Sequence, residues 1–203
     1  MSIDEFNRDV KTMLAAAPNA MAELNIRMAQ TAIPLITNRL IDEGKTAQGK
    51  SLGEYSDKPI SPLFFIGKGL GSGADKKVND YVKKNKEGIS YKTFRQLNGR
   101  PVDHVTLSFT GETLGDIKVL STNETGLKVV TVVGNNGAHK KDIINKRGRK
   151  TGTIDTREVF ESLNEKYGLA LDTELLELSK EEEKDLQVIY DAGLQKFINK
   201  YLR

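Results

Sequence analysis

The stretch DIKVLSTNETGLKVVTVVG, residues 116–134 of a chain of 203 residues, carries the clearest β-strand signal in the sequence. Its two ends, Asp116–Ser121 and Leu127–Gly134, are rich in β-branched side chains, which favour extended backbone. Asn123–Gly126 between them has the composition of a turn. The pattern predicts two antiparallel strands joined as a hairpin, so the fold must contain a sheet as well as helices.

The residues before this hairpin predict a further strand and a short helix. His104–Phe109 alternates between polar and apolar side chains, which is typical of a half-buried strand. Thr110–Gly115 predicts a single helical turn that begins with Thr110 as its cap. We therefore expect a small antiparallel sheet, interrupted by one turn of helix.

The first third of the chain predicts helix, because apolar residues recur there at helical spacing in two stripes. The first stripe holds Phe6, Val10, Met13, Leu14 and Ala17, and the second holds Met21, Leu24, Met28, Ala32, Ile36 and Leu40. Pro18 predicts an interruption between the stripes, and Pro34 predicts a kink or a split near Ile33, because proline removes a backbone donor. Gly44 is suited to cap the end of the helix.

Two more helices are predicted after the hairpin. Asp155–Leu163 predicts a short helix that Asp155 or Thr156 caps. Ser179 followed by Glu182 is a capping box for a closing helix, whose acidic first turn complements the helix dipole. The apolar face of that helix holds Leu186, Ile189, Tyr190, Gly193, Leu194, Phe197 and Tyr201.

These elements predict an α+β fold in a single domain over residues 1–203. Its parts are a long N-terminal amphipathic helix kinked near Pro34, a small antiparallel β-sheet with a hairpin, a C-terminal helix and long loops. Extended loops are expected at 44–90 and 135–156, where glycine and polar residues recur without sustained periodicity. Within the first loop, the lysine-rich residues 76–86 predict a short helix.

The composition excludes several kinds of chemical site. The chain has no Cys and two His, so a thiolate metal site or a cysteine nucleophile is impossible and a histidine-rich metal centre is not expected. Gly67–Gly73 lacks the strand and the Gly-Lys-Ser/Thr ending of a phosphate-binding loop, and favours a linker. No hydrolase motif is present. We therefore expect no enzyme, no cofactor, no metal and no small-molecule site.

The sequence also gives expectations about compartment. No apolar run approaches the roughly 20 residues that a membrane span needs. The start of the chain, MSIDEF, is acidic and lacks the apolar segment of a secretory signal. We therefore expect no membrane association and synthesis in the cytoplasm.

Charge is unevenly distributed behind a formal net charge of +3. Residues 137–153 contain six basic residues and one acidic residue, whereas residues 154–203 contain seven basic and twelve acidic residues. The basic residues of the first segment are the candidate DNA-facing set: Lys140, Lys141, Lys146, Arg147, Arg149 and Lys150. Such a cluster can contact phosphates without reading bases, although a solvated loop has the same composition.

Three stretches of the chain form an ordered set of motifs. The first is GKTAQGKSLGEYS, Gly44–Ser56, which follows the predicted helix. The second combines YKTFRQLNG, Tyr91–Gly99, with VDHVTLSFTGETL, Val102–Leu114. The third is TREVF, Thr156–Phe160, before the closing helix. This order resembles the virion morphogenesis or tail-completion proteins of tailed bacteriophages, which belong to the head–tail connector, or neck.

The resemblance implies a structural virion protein that acts by assembly. Such proteins form homo-oligomeric rings, commonly of six or twelve copies, at the head–tail junction of the virion. Its implied partners are the portal or adaptor, the tail and other neck proteins, and the basic loop would face DNA in the channel without sequence preference. The alternative interpretation is a non-enzymatic, nucleic-acid-associated binding protein that uses its basic loops.

Overall fold

A computed structural model describes residues 2–65, 73–85, 88–107, 111–125, 128–144, 150–167 and 174–202. The fold is α+β, as predicted, with a long N-terminal helix, three two-stranded antiparallel sheets and a C-terminal helix within these residues. The backbone forms two compact units. Unit 1 combines Met1–Thr37 with Glu112–Arg203, and unit 2 is Asn38–Gly111. A single domain over residues 1–203 stays a prediction.

Helix α1 runs without interruption over Ile3–Asn38, with both Pro18 and Pro34 inside it. The predicted break at Pro18 is therefore wrong. Each proline removes one backbone donor, but flanking residues such as Ala17 and Ala22 are buried, and this packing offsets the lost hydrogen bond. The helix is also not split near Ile33, and a kink near Pro34 stays a prediction. A π-helical turn follows α1 over Arg39–Glu43.

In unit 1, α1 is followed by a helical turn and a hairpin. Helix α4 covers Glu112–Gly115, and strands β3, Ile117–Thr125, and β4, Lys128–Asn135, pair antiparallel. The predicted turn of helix and the predicted hairpin are both confirmed. A bulge between Val119 and Ser121 shifts the register of β3.

A second hairpin follows where the sequence predicted a loop. Strand β5, Lys140–Ile144, pairs with β6, Lys150–Asp155, so the loop expected at 135–156 is wrong over these residues. The lysines of the segment concealed a strand signal that comes from its β-branched residues: Ile143 and Ile144 in β5, and Thr151, Thr153 and Ile154 in β6. Residues 145–149 lie outside the described residues.

Two capped helices complete unit 1. Helix α5 covers Thr156–Tyr167, and the Asp155 carboxylate accepts a hydrogen bond from the Glu158 amide at 2.9 Å, which confirms the predicted cap. Helix α6 covers Lys180–Tyr201 behind the predicted capping box of Ser179 and Glu182.

In unit 2, the region expected as a loop over 44–90 contains regular structure. Strands β1, Pro59–Ile60, and β2, Ile89–Ser90, pair antiparallel, and the predicted lysine-rich helix is present as α2, Ala74–Lys84. Helix α3 follows over Tyr91–Leu97. These elements surround an apolar core of Phe65, Val78, Ile89 and Phe94.

The strand predicted over His104–Phe109 is wrong for residues 104–107, which form no strand. Leu107 has a φ of 53°, which is incompatible with extended backbone. His104 instead turns to the Ile41 carbonyl, with its Nε2 atom 2.9 Å from that oxygen. Residues 108–110, including the predicted cap Thr110, lie outside the described residues.

Candidate functional site

A buried arginine joins the first two motif stretches inside unit 2. Arg95, on α3, is 1% exposed. Its Nε donates to the Pro101 carbonyl and its Nη2 donates to the Thr106 hydroxyl, each at 3.1 Å. The guanidinium also lies 4.3 Å from the centre of the Tyr55 ring, within the range of a cation–π contact. We call Tyr55, Arg95 and Thr106 the arginine centre.

The arginine centre is closed by hydrogen bonds across a long stretch of sequence. The Thr106 amide donates to the Tyr55 hydroxyl at 3.0 Å, which joins residues 51 positions apart. The Tyr55 ring meets the Tyr91 ring edge to face at 5.5 Å. The motif residues therefore build the interior of unit 2 and hold its loops in place.

Gly44 and His104 form a second contact between motif residues in unit 2. Gly44 caps the π-helical turn with a φ of +61°, and the ring of His104 lies where its side chain would be. Glycine is therefore required by both backbone conformation and space. The Ile41 carbonyl raises the pKa of His104 above its usual value, with a further contribution from Asp103.

Unit 1 contains a buried carboxylate that sequence reasoning missed. Asp116, between α4 and β3, is fully buried. Its Oδ2 accepts from the His139 amide at 2.9 Å and from the Thr156 hydroxyl, and its Oδ1 lies 2.8 Å from His139 Nδ1. Burial raises the pKa of Asp116, but these hydrogen bonds outweigh burial and hold the pKa below its usual range.

The Asp116 centre, defined as Asp116, His139 and Thr156, joins three parts of unit 1. It ties the start of β3 to the residues before β5 and to the first residue of α5. An aspartate beside a histidine ring is also a general-base arrangement. Here the carboxylate also accepts hydrogen bonds from a backbone amide and a hydroxyl, so its described contacts indicate a structural role.

The structure separates the predicted DNA-facing residues. Lys140 begins β5 and is exposed, whereas Lys150 begins β6, opposite Ile144 at the other end of the hairpin. The Lys150 ammonium lies 2.6 Å from the Asp142 carboxylate. Lys141 lies on β5, and Lys146, Arg147 and Arg149 lie outside the described residues. The two described lysine side chains therefore form no single patch.

Two exposed apolar surfaces lie in unit 1. The first, the α1 stripe, consists of the predicted apolar residues at the start of α1 together with Ile3: Ile3, Phe6, Val10, Met13 and Leu14. Ile3, Phe6 and Leu14 are 80%, 44% and 56% exposed, whereas Val10 and Met13 are half-buried. The second, the outer hairpin face, consists of Leu120, Val130 and Val132, which are 49%, 45% and 41% exposed.

Neither a metal site nor a membrane-spanning helix is found in the part of the chain that the structure describes. Its His, Asp and Glu side chains form no group of three that could hold a metal ion. None of its helices combines the length and apolar character that a bilayer crossing requires. A polar cleft of about 550 Å³ in unit 2 is lined in part by Ser90 and Thr93, but the Ser90 hydroxyl already caps α3 by accepting from the Thr93 amide, and it also contacts the Thr93 hydroxyl.

Three comparisons were made, with models of protein families, with curated proteins and with solved structures, and none of them found a match to this chain.

Proposed function

We propose that this chain is a structural virion protein of a tailed bacteriophage. In this role it is a ring-forming head–tail connector or tail-completion component, which joins the portal to the tail around the DNA channel. The observation that carries the proposal is the pair of exposed apolar surfaces in unit 1. The motif resemblance supplies the class of assembly.

The exposed side chains fit a protein that works by contact with neighbours. Large apolar residues scattered singly over a surface need no explanation, but groups of them on one face are typical of interaction sites. The α1 stripe lies along one side of a helix, and the outer hairpin face lies on one side of a sheet. Burial of both surfaces between copies would contribute to the stability of a ring.

The arginine centre supports the same class of function. Tyr55, Arg95 and Thr106 come from the stretches that carry the resemblance, and they contact one another in the interior of unit 2. Buried side chains that contact one another in this way stabilise the conformation of the unit. A protein that holds its neighbours in register needs a rigid shape more than it needs reactive groups.

The experiment is a measurement of assembly. Light scattering gives the mass of the purified chain over a range of concentrations, alone and with a purified portal or neck complex, and negative-stain microscopy shows the shape of the product. We expect a closed ring. A chain that stays monomeric in both conditions contradicts the proposal, and salt-dependent DNA binding by that monomer would favour the nucleic-acid-associated alternative.

Contact with DNA by the basic hairpin is tested separately. Lys140, Lys141, Arg147 and Arg149 are reversed to Glu, and duplex DNA binding is followed by fluorescence anisotropy at several salt concentrations. We expect weaker binding and a smaller salt dependence, because fewer counterions are released. The matched control reverses four exposed lysines of α2: Lys76, Lys77, Lys83 and Lys84. An equal loss in both variants would show an effect of net charge alone.

A further inference from the structure

The polar cleft of unit 2 has the size of a small-molecule site. Its volume is about 550 Å³, and such sites have volumes of about 300–1,000 Å³. Three segments of unit 2 line it: the approach to β1 with Pro59, the end of α2, and the residues from Gly88 into α3. These segments are far apart in the sequence and carry no shared motif, which is why the sequence predicted no small-molecule site.

The backbone around the cleft requires a glycine at position 88. Gly88 has a φ of +98°, and a side chain there would come within 2.9 Å of the Ile60 carbonyl oxygen. Glycine therefore allows the close approach of the chain segments that form β1 and β2. In that pair of strands Pro59 lies opposite Ser90, so the strand register fixes two of the lining residues relative to each other.

The lining side chains carry hydrogen-bonding groups that remain available to a ligand. Asn85 Nδ2 donates to the Tyr81 carbonyl at 2.9 Å, whereas Asn85 Oδ1 and the Tyr81 hydroxyl have no partner among the described residues. The Ser90 and Thr93 hydroxyls lie 2.9 Å apart. Only one of them can donate to the other, so one hydroxyl proton is left for a ligand. The cleft therefore offers both donors and acceptors.

The charge of the cleft selects against ionic ligands. Asp57 is the one charged side chain among the lining residues that the structure describes, and Lys92 Nζ lies 3.4 Å from its carboxylate. An anion would meet this carboxylate without a cation in the described lining, and a cation would compete with Lys92. The described residues form no metal-binding group either. A neutral ligand rich in hydrogen-bonding groups fits these conditions.

We infer that this cleft is a binding site for a short saccharide. A sugar carries adjacent hydroxyls, each of which donates and accepts, and the lining supplies a carboxylate and an amide oxygen as acceptors beside hydroxyls that do both. Tyr81 packs in part against the apolar core of unit 2 and also lines the cleft. Its side chain joins an aromatic ring to a hydroxyl, which suits both the C–H face and the hydroxyls of a sugar. This site does not depend on the proposed virion function.

The test is a titration of the full chain followed by saturation-transfer NMR. The saccharide probes are D-glucose, D-galactose, N-acetyl-D-glucosamine and the disaccharide maltose. Inorganic phosphate and ethylammonium are the probes for an anion and for a cation. We expect saturable binding of at least one saccharide with a dissociation constant in the millimolar range, because an open polar cleft gives modest affinity. Phosphate and ethylammonium should not compete with that saccharide.

Two substitutions locate the binding in the cleft. Asp57→Ala and Thr93→Val each remove one hydrogen-bonding group and should weaken saccharide binding about five- to tenfold. The Asp57 side chain is 75% exposed, and Thr93→Val keeps the amide that donates to Ser90, so the circular dichroism spectrum should not change. Glu54→Ala, at an exposed acidic residue of unit 2 outside the lining, is the matched control and should bind normally.

Three outcomes would overturn the inference. Failure of every saccharide probe to bind would remove the ligand class. Equal affinity in the Asp57→Ala, Thr93→Val and Glu54→Ala variants would place the binding outside the cleft. Saturable binding of phosphate or ethylammonium that no saccharide displaces would assign the cleft to an ionic ligand.

Discussion

Each unit of the molecule contains a fully buried charge, and these two charges have opposite sign and different chemistry. Arg95 in unit 2 is held by a carbonyl, a hydroxyl and an aromatic ring. Asp116 in unit 1 is held by an amide, an imidazole and a hydroxyl. Arginine keeps its charge at every accessible pH, whereas aspartate can be neutralised. The stability of the two units should therefore respond differently to mutation and to pH.

The difference also concerns exposure. The charge of unit 2 lies among residues from the recognisable motifs, beside an aromatic core. The charge of unit 1 ties the start of β3, whose hairpin carries the outer hairpin face, to the residues before β5 and to α5. Unit 2 also exposes Ile60 and Phe64, but the apolar surfaces that we propose for assembly lie in unit 1.

The largest effect is expected from Arg95→Met. This change removes two charged hydrogen bonds and the contact with the Tyr55 ring, and should destabilise unit 2 by about 4 kcal/mol. Hydrogen exchange followed by mass spectrometry of peptides measures each unit separately. Amides of α3 and residues 101–107 should lose protection, and those of α6 should not. Arg100→Met, at an exposed arginine of the same unit, is the control. Equal loss in both units would remove the distinction between them.

The next largest effect is expected from Asp116→Ala. It leaves the His139 amide without its acceptor and the Thr156 hydroxyl with only Asn135 Oδ1, 3.3 Å away, and should destabilise unit 1 by about 3 kcal/mol. Asp116→Asn should cost only about 1 kcal/mol, because the amide can donate to His139 Nδ1 while its oxygen accepts from the other two groups. Asp191→Asn, at an exposed aspartate of α6, is the control. Urea unfolding gives the order, and an equal cost for both Asp116 variants would show that charge matters more than hydrogen bonding.

Lowering the pH should destabilise unit 1 before it destabilises unit 2. The folded pKa of Asp116 lies below its usual value, so its stabilising contribution is present above the unfolded pKa of about 3.9 and is lost as the pH falls through the folded pKa. Hydrogen exchange of β3 and α5 should therefore accelerate before that of α3 on acidification. In Asp116→Asn the difference between units should shrink. Earlier loss of α3 would contradict the assignment.

The sequence predicted the parts of the fold whose signals are local. The β3–β4 hairpin has β-branched residues around a turn, and the Ser179–Glu182 box marks the start of α6 within four residues. The Asp116 centre could not be predicted in this way, because its partners lie 23 and 40 positions away. Residues 104–107 followed a strand pattern, but the bond from His104 to Ile41 and the positive φ of Leu107 determined their conformation.

Raising the pH should destabilise unit 2 through His104, by less than the Asp116→Ala substitution destabilises unit 1. Its ring nitrogens lie 2.9 Å from two acceptors, the Ile41 carbonyl and the Asp103 carboxylate, so only the protonated ring can donate to both. The raised pKa means that this contribution is full below the unfolded pKa of about 6.5 and is lost as the pH rises through the folded pKa. We expect unit 2 to lose about 1 kcal/mol. His104→Gln should remove the pH dependence, and its persistence in that variant would assign it to another group.

The smallest effect is expected at the surface, from Asp142→Asn. The Asp142–Lys150 pair is about half exposed on both sides, and exposed ion pairs contribute little, so the free energy of unfolding should change by less than about 0.5 kcal/mol. The same substitution removes the one acidic residue of the segment 137–153. If the β5–β6 hairpin contacts phosphates, DNA binding at low salt should strengthen, and the gain should disappear at high salt because the added attraction is screened. A matched Asp191→Asn variant separates this local effect from the change in net charge. Unchanged DNA binding in Asp142→Asn would remove the β5–β6 hairpin from the DNA-facing surfaces and leave the apolar surfaces of unit 1 as the functional part of the molecule.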